Sequence, residues 1–446
     1  MSNSGGLLQL VAQGRQDIYL SGNPQTTFFK QVYRRYTNFS MEMQYIPFDT
    51  AADFNKLISV TVPRNGDLLS QLYLEFTLPK ITPDGPDLGS LDSCGVATVP
   101  PTDYTTTPPV VSYANGIGYA MIDYISIWIG QQEIDRQYGE FMYLWTQLTT
   151  PGSKMNGIRS MIGQQSTYRQ ETLQGPLHLF VPLYFWFCRN PGLALPLLAL
   201  QATPIKIYIQ MKNGSQIVYN AALEQAVFTT GTCIPITAKP PIITDMRLWG
   251  NYIYLDTEER RRFVSSKHEY LIEQVQRQTR YSIPAMSKQI SIPLTFNHPI
   301  KELIWVVQID KILESNQPFN YGSRSLTVSG IDNLDLINTA LLQFDGYDRF
   351  QVQSAQYFRL MQPWLYHTAI PNAVDEGHFI YMYSFSLNPE AAQPQGSFNA
   401  SRIDSIVLQL AMNQQVATTP MGCTVYAINY NVLRIVAGLG GVLFTV

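Results

Sequence analysis

The 446-residue sequence predicts an all-β protein built as two tandem eight-stranded antiparallel jelly rolls, a double jelly roll with a few short helices. Three observations predict it. Apolar and polar residues alternate over short runs bounded by Gly, Pro, Asn and Asp, the pattern of half-buried strands. About eight such runs fall in each half of the chain, the number in a jelly roll. The second half also repeats the landmarks of the first in order. AMIDYISIWIG, Asp135-Arg136, an aromatic-rich stretch to Trp145, FVPLYFWFCRNPG, TPIKIYIQM and LWGNYIYLD are answered by a second series. That series is LINTALLQFDG, Asp348-Arg349, a stretch to Trp364, FIYMYSFSLNPE, RIDSIVLQLAM and YAINYNVLRIV. The landmarks recur roughly 180 to 210 residues apart, far beyond a solenoid repeat, so a whole domain is duplicated. An immunoglobulin-like sandwich is the structural rival, but about 200 residues per copy exceeds its length, and its Cys…Trp…Cys spacing is absent.

Taken in order, residues 1–27 read as an arm ahead of the first jelly roll, 28–257. Asn23-Pro24 reads as an N-cap followed by proline at the first helical position. Phe28, Val32 and Tyr36 then recur at i, i+4, which predicts a short helix with an aromatic stripe and with Lys30, Arg34 and Arg35 on its polar side. The first-half strands are NFSMEMQYI, KLISVTV, LYLEFTL, IDYISIWI, LFVPLYFWF, LALPLLAL with its continuation KIYIQM, AVFTT and RLWGNYIYL. In LYLEFTL, Leu72, Leu74, Phe76 and Leu78 share one face; Ile205, Ile207, Ile209 and Met211 do the same in KIYIQM. Residues 79–115 form a long Pro-, Gly- and Thr-rich stretch, a length that is usually functional or mobile. The most charged run, 258–269, reads as the linker. The second jelly roll, 270–446, has YLIEQVQ, KQISIPLTF, ELIWVVQI, SLTVSG, INTALLQF, HFIYMYSFSL, DSIVLQLAM and TVYAINYNVLRIV.

Composition narrows the function. Charged residues are only 14% and hydrophobic residues 45%, with 27 Tyr and 21 Phe. Such a surface fits either burial under partners, since interface cores lose Lys, Glu and Asp and gain aromatics, or simply a large, well-filled β protein. A net charge of −3 gives no basic footprint, so direct sequence-specific nucleic-acid binding is not expected. Cys94, Cys188, Cys233 and Cys423 form no CxxC pair, which points to a reducing cytosol rather than a zinc cluster or disulfide framework. The start lacks the basic-then-apolar pattern of a secretory signal, and the apolar run Ile435 to Val446 is too short and glycine-rich to span a membrane. HExxH, GxSxG, Walker and GxGxxG motifs are missing, and the five histidines never come as HxH or HxxxH. No catalytic, metal or cofactor site is therefore expected, and the protein reads as a non-enzyme; a carbohydrate-binding module or cupin-type enzyme on tandem β-sandwiches is the rival class. Asn38, Asn213 and Asn399 open N-x-[ST] sequons, candidate glycosylation sites only if the chain meets a glycosyltransferase.

Longer blocks carry a resemblance. GLLQLVAQGRQDIYLSGNPQTTFFKQVYRRYTNFSME, RNGDLLSQLYLEF, NPGLALPLLALQ, YIYLDTEERRRF with HEYLIEQVQ, FNHP, SRID and YAINYNVLRIVAGLGG resemble the major capsid proteins of nucleocytoplasmic large DNA viruses, from about residue 5 to 444. The resemblance implies a structural subunit whose homotrimers are pseudo-hexagonal capsomers tiling an icosahedral shell. It implies a place in the virion capsid, with assembly in the host cytoplasm. Implied partners are neighbouring capsomers, minor capsid proteins, a penton protein at base and edges, and the side of an inner viral membrane. Residues 1–27 resemble the family's inward-facing base segment, with Leu7, Leu10, Val11 and Arg15 as its assembly contacts; local packing of the apolar three against the parent domain is the alternative. The stretch 79–115 is longer than in the algal-virus members and is expected among the outward loops.

Overall fold

A computed structural model describes residues 5–79, 111–164, 176–220, 243–323, 333–415 and 418–445. The expected strands AVFTT and SLTVSG, Cys94, Cys233 and most of the 79–115 stretch lie outside them. The chain divides into two compact units, Met1–Phe39 and Ser40–Val446.

In the first unit, helices form at Gly5–Val11 and Ile18–Ser21. The aromatic helix expected after Asn23-Pro24 does not form: residues 22–38 are turns and coil, and Asn23 takes a left-handed φ of 51°. Phe28, Val32 and Tyr36 are all exposed. A segment this short is marginal without a buried face, and its Thr, Val, Phe and Tyr residues have lower helix propensity than the Leu-rich Gly5–Val11.

In the second unit sixteen principal strands are described. The first half contributes β1 (Phe39–Ile46), β2 (Leu57–Thr61), β3 (Leu68–Leu78), β4 (Ile122–Ile129), β5 (Gln132–Tyr138), β6 (Leu177–Pro182), β7 (Ile205–Met211) and β8 (Thr244–Leu255). The second half contributes β9 (His268–Arg277), β10 (Gln289–Leu294), β11 (Pro299–Ile309), β12 (Ile337–Phe344), β13 (Tyr347–Asp348), β14 (Tyr381–Ser384), β15 (Ile406–Met412) and β16 (Met421–Val436).

Their pairing repeats. The first half forms sheets β1-β8-β3-β6 and β2-β7-β4-β5; the second forms β9-β16-β11-β14 and β10-β15-β12-β13. Adding eight to every label converts one pair into the other, so the duplication read from the landmarks is a duplication of topology. The hairpins carrying the Asp-Arg landmarks correspond as well. Gly130 turns β4 into β5 at φ 64°, and Asp345-Gly346 turn β12 into β13 at φ 49° and 83°; such two-residue loops need positive φ to match strand twist.

Alternation sets the core as predicted: Leu72, Leu74, Phe76 and Leu78 of β3, and Ile205, Ile207, Ile209 and Met211 of β7, are buried. Two expected strands are revised. LFVPLYFWF is strand only through Pro182, after which Trp186–Arg189 is helical; LALPLLAL is two 3-10 turns around a two-residue strand. Pro191 and Pro196 cannot donate to a ladder, and the apolar side chains here are buried by packing rather than by pairing.

The charged run 258–269 is helical over Thr257–Ser265, ahead of β9. Asp256 caps it by accepting from Glu259 N–H at 3.0 Å, and Arg260 pairs with the buried Asp67 of the first half at 3.1 Å. Phe263 packs beside the small cluster of Leu68, Ala194 and Ile253.

Candidate assembly surfaces

Leu7, Leu10 and Val11 lie on the helix Gly5–Val11, spaced i, i+3, i+4 on one face, and all three are exposed. Arg15 follows the helix and is also exposed. The sequon asparagines are separate: Asn38 is exposed in coil, whereas Asn213 and Asn399 are exposed caps of 3-10 turns. Asn213 Oδ1 accepts from Ser215 N–H at 3.2 Å and Asn399 Oδ1 from Ser401 N–H at 3.1 Å.

The main buried polar chemistry, which no motif spacing marks, is a seam joining the two jelly rolls. The β5 strand was invisible to hydrophobic alternation because its polar residues are the buried ones. Asp135 Oδ1 accepts from Val275 N–H of β9 at 3.1 Å, and Gln274 of β9 bonds back to the Ile134 carbonyl. Burial pushes the Asp135 carboxyl up to about 6, against the pull of that amide and of Gln137.

β5 leads into the helix Gly139–Thr149, buried from Phe141 through Leu148. A helix buried all round needs a partner on every side, and the second jelly roll supplies one. Phe141 meets Tyr426 of β16 at 5.6 Å, and Tyr143 stacks on Phe319 at 3.9 Å with its hydroxyl 2.6 Å from His378 Nε2. Glu140 accepts from the hydroxyls of Tyr426 and Tyr321 at 2.6 and 3.2 Å.

Trp145 is the centre of a buried charge cluster. The Arg189 guanidinium lies 4.4 Å over its ring and the Lys301 ammonium 5.6 Å away, and both cations share Glu273 of β9, at 2.5 and 2.6 Å. His367 meets the Trp145 ring edge-on at 5.9 Å. Its two nitrogens lie 2.9 Å from Glu302 and 2.8 Å from Glu390. These groups are mutually paired, which is what permits charge in the interior.

The two seam histidines differ in charge. Burial pulls the His367 pKa down, but Glu302 and Glu390 outweigh it and raise it to about 9; burial and the Arg159 charge push His378 down to about 3. A raised folded pKa stabilises fully below the unfolded value near 6.5 and loses that contribution as pH rises through about 9. The melting temperature should therefore fall between pH 6.5 and 9 by a component that His367→Gln abolishes. Equal slopes for the two proteins in pH-resolved thermal melts would exclude His367 as its source.

Two signals in the sequence mark the seam in retrospect. β3 is buried alternately, whereas β11 is buried at every position after Pro299 and β16 from Met421 through Asn431. Runs such as ELIWVVQI are those of sheets covered on both faces.

Two jelly rolls of identical topology, locked by a buried seam and presenting exposed apolar faces, define a structural subunit of the double jelly-roll class. The family described as large eukaryotic DNA virus major capsid protein matches residues 259–441, and that described as major capsid protein N-terminus matches 27–256. The chain is 36% identical to the major capsid protein of Phaeocystis pouchetii virus, over 99% of this chain and 100% of that one. It is 37% identical to the major capsid protein of Pyramimonas orientalis virus, over 99% of each. A quasi-atomic structure of the PBCV-1 virus capsid superposes at a TM-score of 0.73 with 28% identity, covering 94% of this chain and 100% of that one. The chain belongs to the large eukaryotic DNA virus major capsid protein family. It is a structural component of a virion capsid, not an enzyme, and it self-assembles.

Proposed function

We propose that three copies of the chain form one capsomer around a threefold axis and that these capsomers tile an icosahedral shell assembled in the host cytoplasm. The single observation that carries this reading is the repeated strand order, β1-β8-β3-β6 in one half and β9-β16-β11-β14 in the other. Three chains then present six similar jelly rolls, so one gene product fills a hexagonal lattice site with closed threefold symmetry.

In this reading residues 28–257 and 270–446 are the two jelly rolls, with 258–269 between them. Residues 1–27 are the inward anchoring arm, where Leu7, Leu10, Val11 and Arg15 meet minor capsid proteins. Edge and base contacts to penton protein and an inner membrane belong to the same reading. Asn213 and Asn399, exposed on turns, are the sequons best placed for a glycan; glycopeptide mass spectrometry of virion protein should find either modified ahead of Asn38.

Light scattering behind size exclusion tests the threefold: the expected mass is three times the 50.5 kDa chain. A single-chain mass at high concentration in assembly buffer would reject it. Deleting residues 1–27 should leave that mass unchanged while impairing shell assembly. A truncated chain that fails to trimerise would make the arm structural instead.

A further inference from the structure

The seam inside the chain is a template with two unused halves. Within one chain, the helix after β5 covers the outer face of the sheet β9-β16-β11-β14. On that face the register places Tyr426 beside Ile304 and Thr424 beside Val306, and all four are at most 6% exposed. In the corresponding sheet of the first jelly roll, β1-β8-β3-β6, no helix among the described residues of the second unit is seen to pack on the ring-bearing outer face. It carries a ladder of rings, one per strand: Tyr45 against Trp249 at 6.2 Å, Trp249 stacked on Tyr73 at 6.3 Å, and Tyr73 against Phe180 at 6.1 Å. Tyr45 is 45% exposed and the other three are half-buried.

The equivalent covering element of the other copy packs its inward side on its own sheet, Phe358 against Trp305 at 5.2 Å, and leaves its outward side open. The helical segment 357–366 follows β13 as Gly139–Thr149 follows β5, and Trp364 holds the place that Trp145 holds in the first landmark series. Trp145 is 4% exposed and Trp364 is 64% exposed. Leu360, Met361 and Leu365 beside it are exposed too. Among the described residues the chain thus leaves one sheet face and the outward side of one helical segment open, each equivalent to a half of the seam it already makes.

We propose that these two surfaces bind each other between copies of the chain: Trp364, Leu360, Met361 and Leu365 of one copy seat on the Tyr45-Trp249-Tyr73-Phe180 ladder of the next. The contact is heterologous, head to tail, and repeats across chains the packing used within one. Its occupant is a second copy because the face it covers and the element that covers it are both paired already, in their equivalent forms, inside the chain. This inference rests on the threefold reading and adds which faces meet.

Full-length Trp364→Glu and Tyr73→Arg proteins test it. Neither side chain is buried, and thermal melts by circular dichroism verify that each variant folds. Each alone should lose the three-chain species and run at one chain mass. An equal mixture should regain a two-chain species, because the Trp364→Glu protein keeps an intact ladder and the Tyr73→Arg protein an intact helix, yet the ring cannot close. Met286→Glu, an exposed apolar position on neither surface, should keep the three-chain mass. Three-chain mass in either folded single variant, or a mixture without the two-chain species, overturns the pairing while leaving the threefold standing. A wild-type protein of one chain mass overturns the threefold itself, and the pairing with it.

Discussion

Replacing Glu273 with glutamine is expected to cost about 3–5 kcal/mol of unfolding free energy, the penalty for removing one partner of a buried ion pair. Glu273 neutralises Arg189 of the first jelly roll and Lys301 of the second, and the Lys301 side chain is 1% exposed. Glutamine keeps the shape and removes the charge, leaving two cations around Trp145. The loss should also depend on pH. Burial already lowers the Lys301 pKa, with Glu273 and Glu302 pulling the other way. Without Glu273 it falls further, and between that value and its ordinary one the unfolded chain binds more protons than the folded chain. Stability then rises with pH, so the gap between variant and wild type should narrow as the solution is made alkaline. Denaturant titrations at several pH values measure this; a gap that stays constant would mean that Lys301 is not held charged by Glu273.

Trp145→Ala should be as damaging, at about 3–5 kcal/mol, because it removes a large side chain from a site that cannot close over the space. The indole touches Phe141, Arg189, Lys301 and His367, groups drawn from both jelly rolls. The variant should therefore uncouple the two halves and replace one cooperative unfolding transition by two, seen as probe-dependent midpoints. The same substitution at Trp364 in the dissociated chain should stay within about 0.5 kcal/mol, since that side chain lies on the surface. Equal costs at the two tryptophans would contradict the assignment of one to a seam already formed and the other to a seam awaiting a second chain.

The pair Trp145 and Trp364 also shows what the sequence reveals and what it hides. Their matching positions after Asp135-Arg136 and Asp348-Arg349 are visible as a repeat, and the shared topology follows. Their different burial is not visible, because it depends on where along a run of alternating copies each one falls. β5 escapes hydrophobic patterning because its buried Asp135 accepts from Val275 N–H and its buried Gln137 donates to the Tyr184 carbonyl, polar bonds rather than apolar contact. The stripe Phe28, Val32 and Tyr36 departs from its expected helix for the opposite reason: periodicity records which face could be buried, and a short run of Thr, Val, Phe and Tyr has too little helix propensity to fold without that burial. Glu273, the adjacent Lys301 and Glu302, and His367 stand in three places in the sequence, and only the pairing of β9 with β16 and β11 and the packing of the segment after 362–366 gather them. No motif spacing announces such a cluster, although the unbroken apolar run LIWVV, immediately after Lys301-Glu302, announces a sheet covered on both sides.

The most direct test is a cryo-electron microscopy reconstruction of the purified, assembled capsomer. Six jelly rolls are expected around a threefold axis, with segment 357–366 of each chain seated on the Tyr45-Trp249-Tyr73-Phe180 face of its neighbour, as Gly139–Thr149 seats on β9-β16-β11-β14 within a chain. A ring whose chains meet through other faces, leaving Trp364 and the aromatic ladder in solvent, would contradict it.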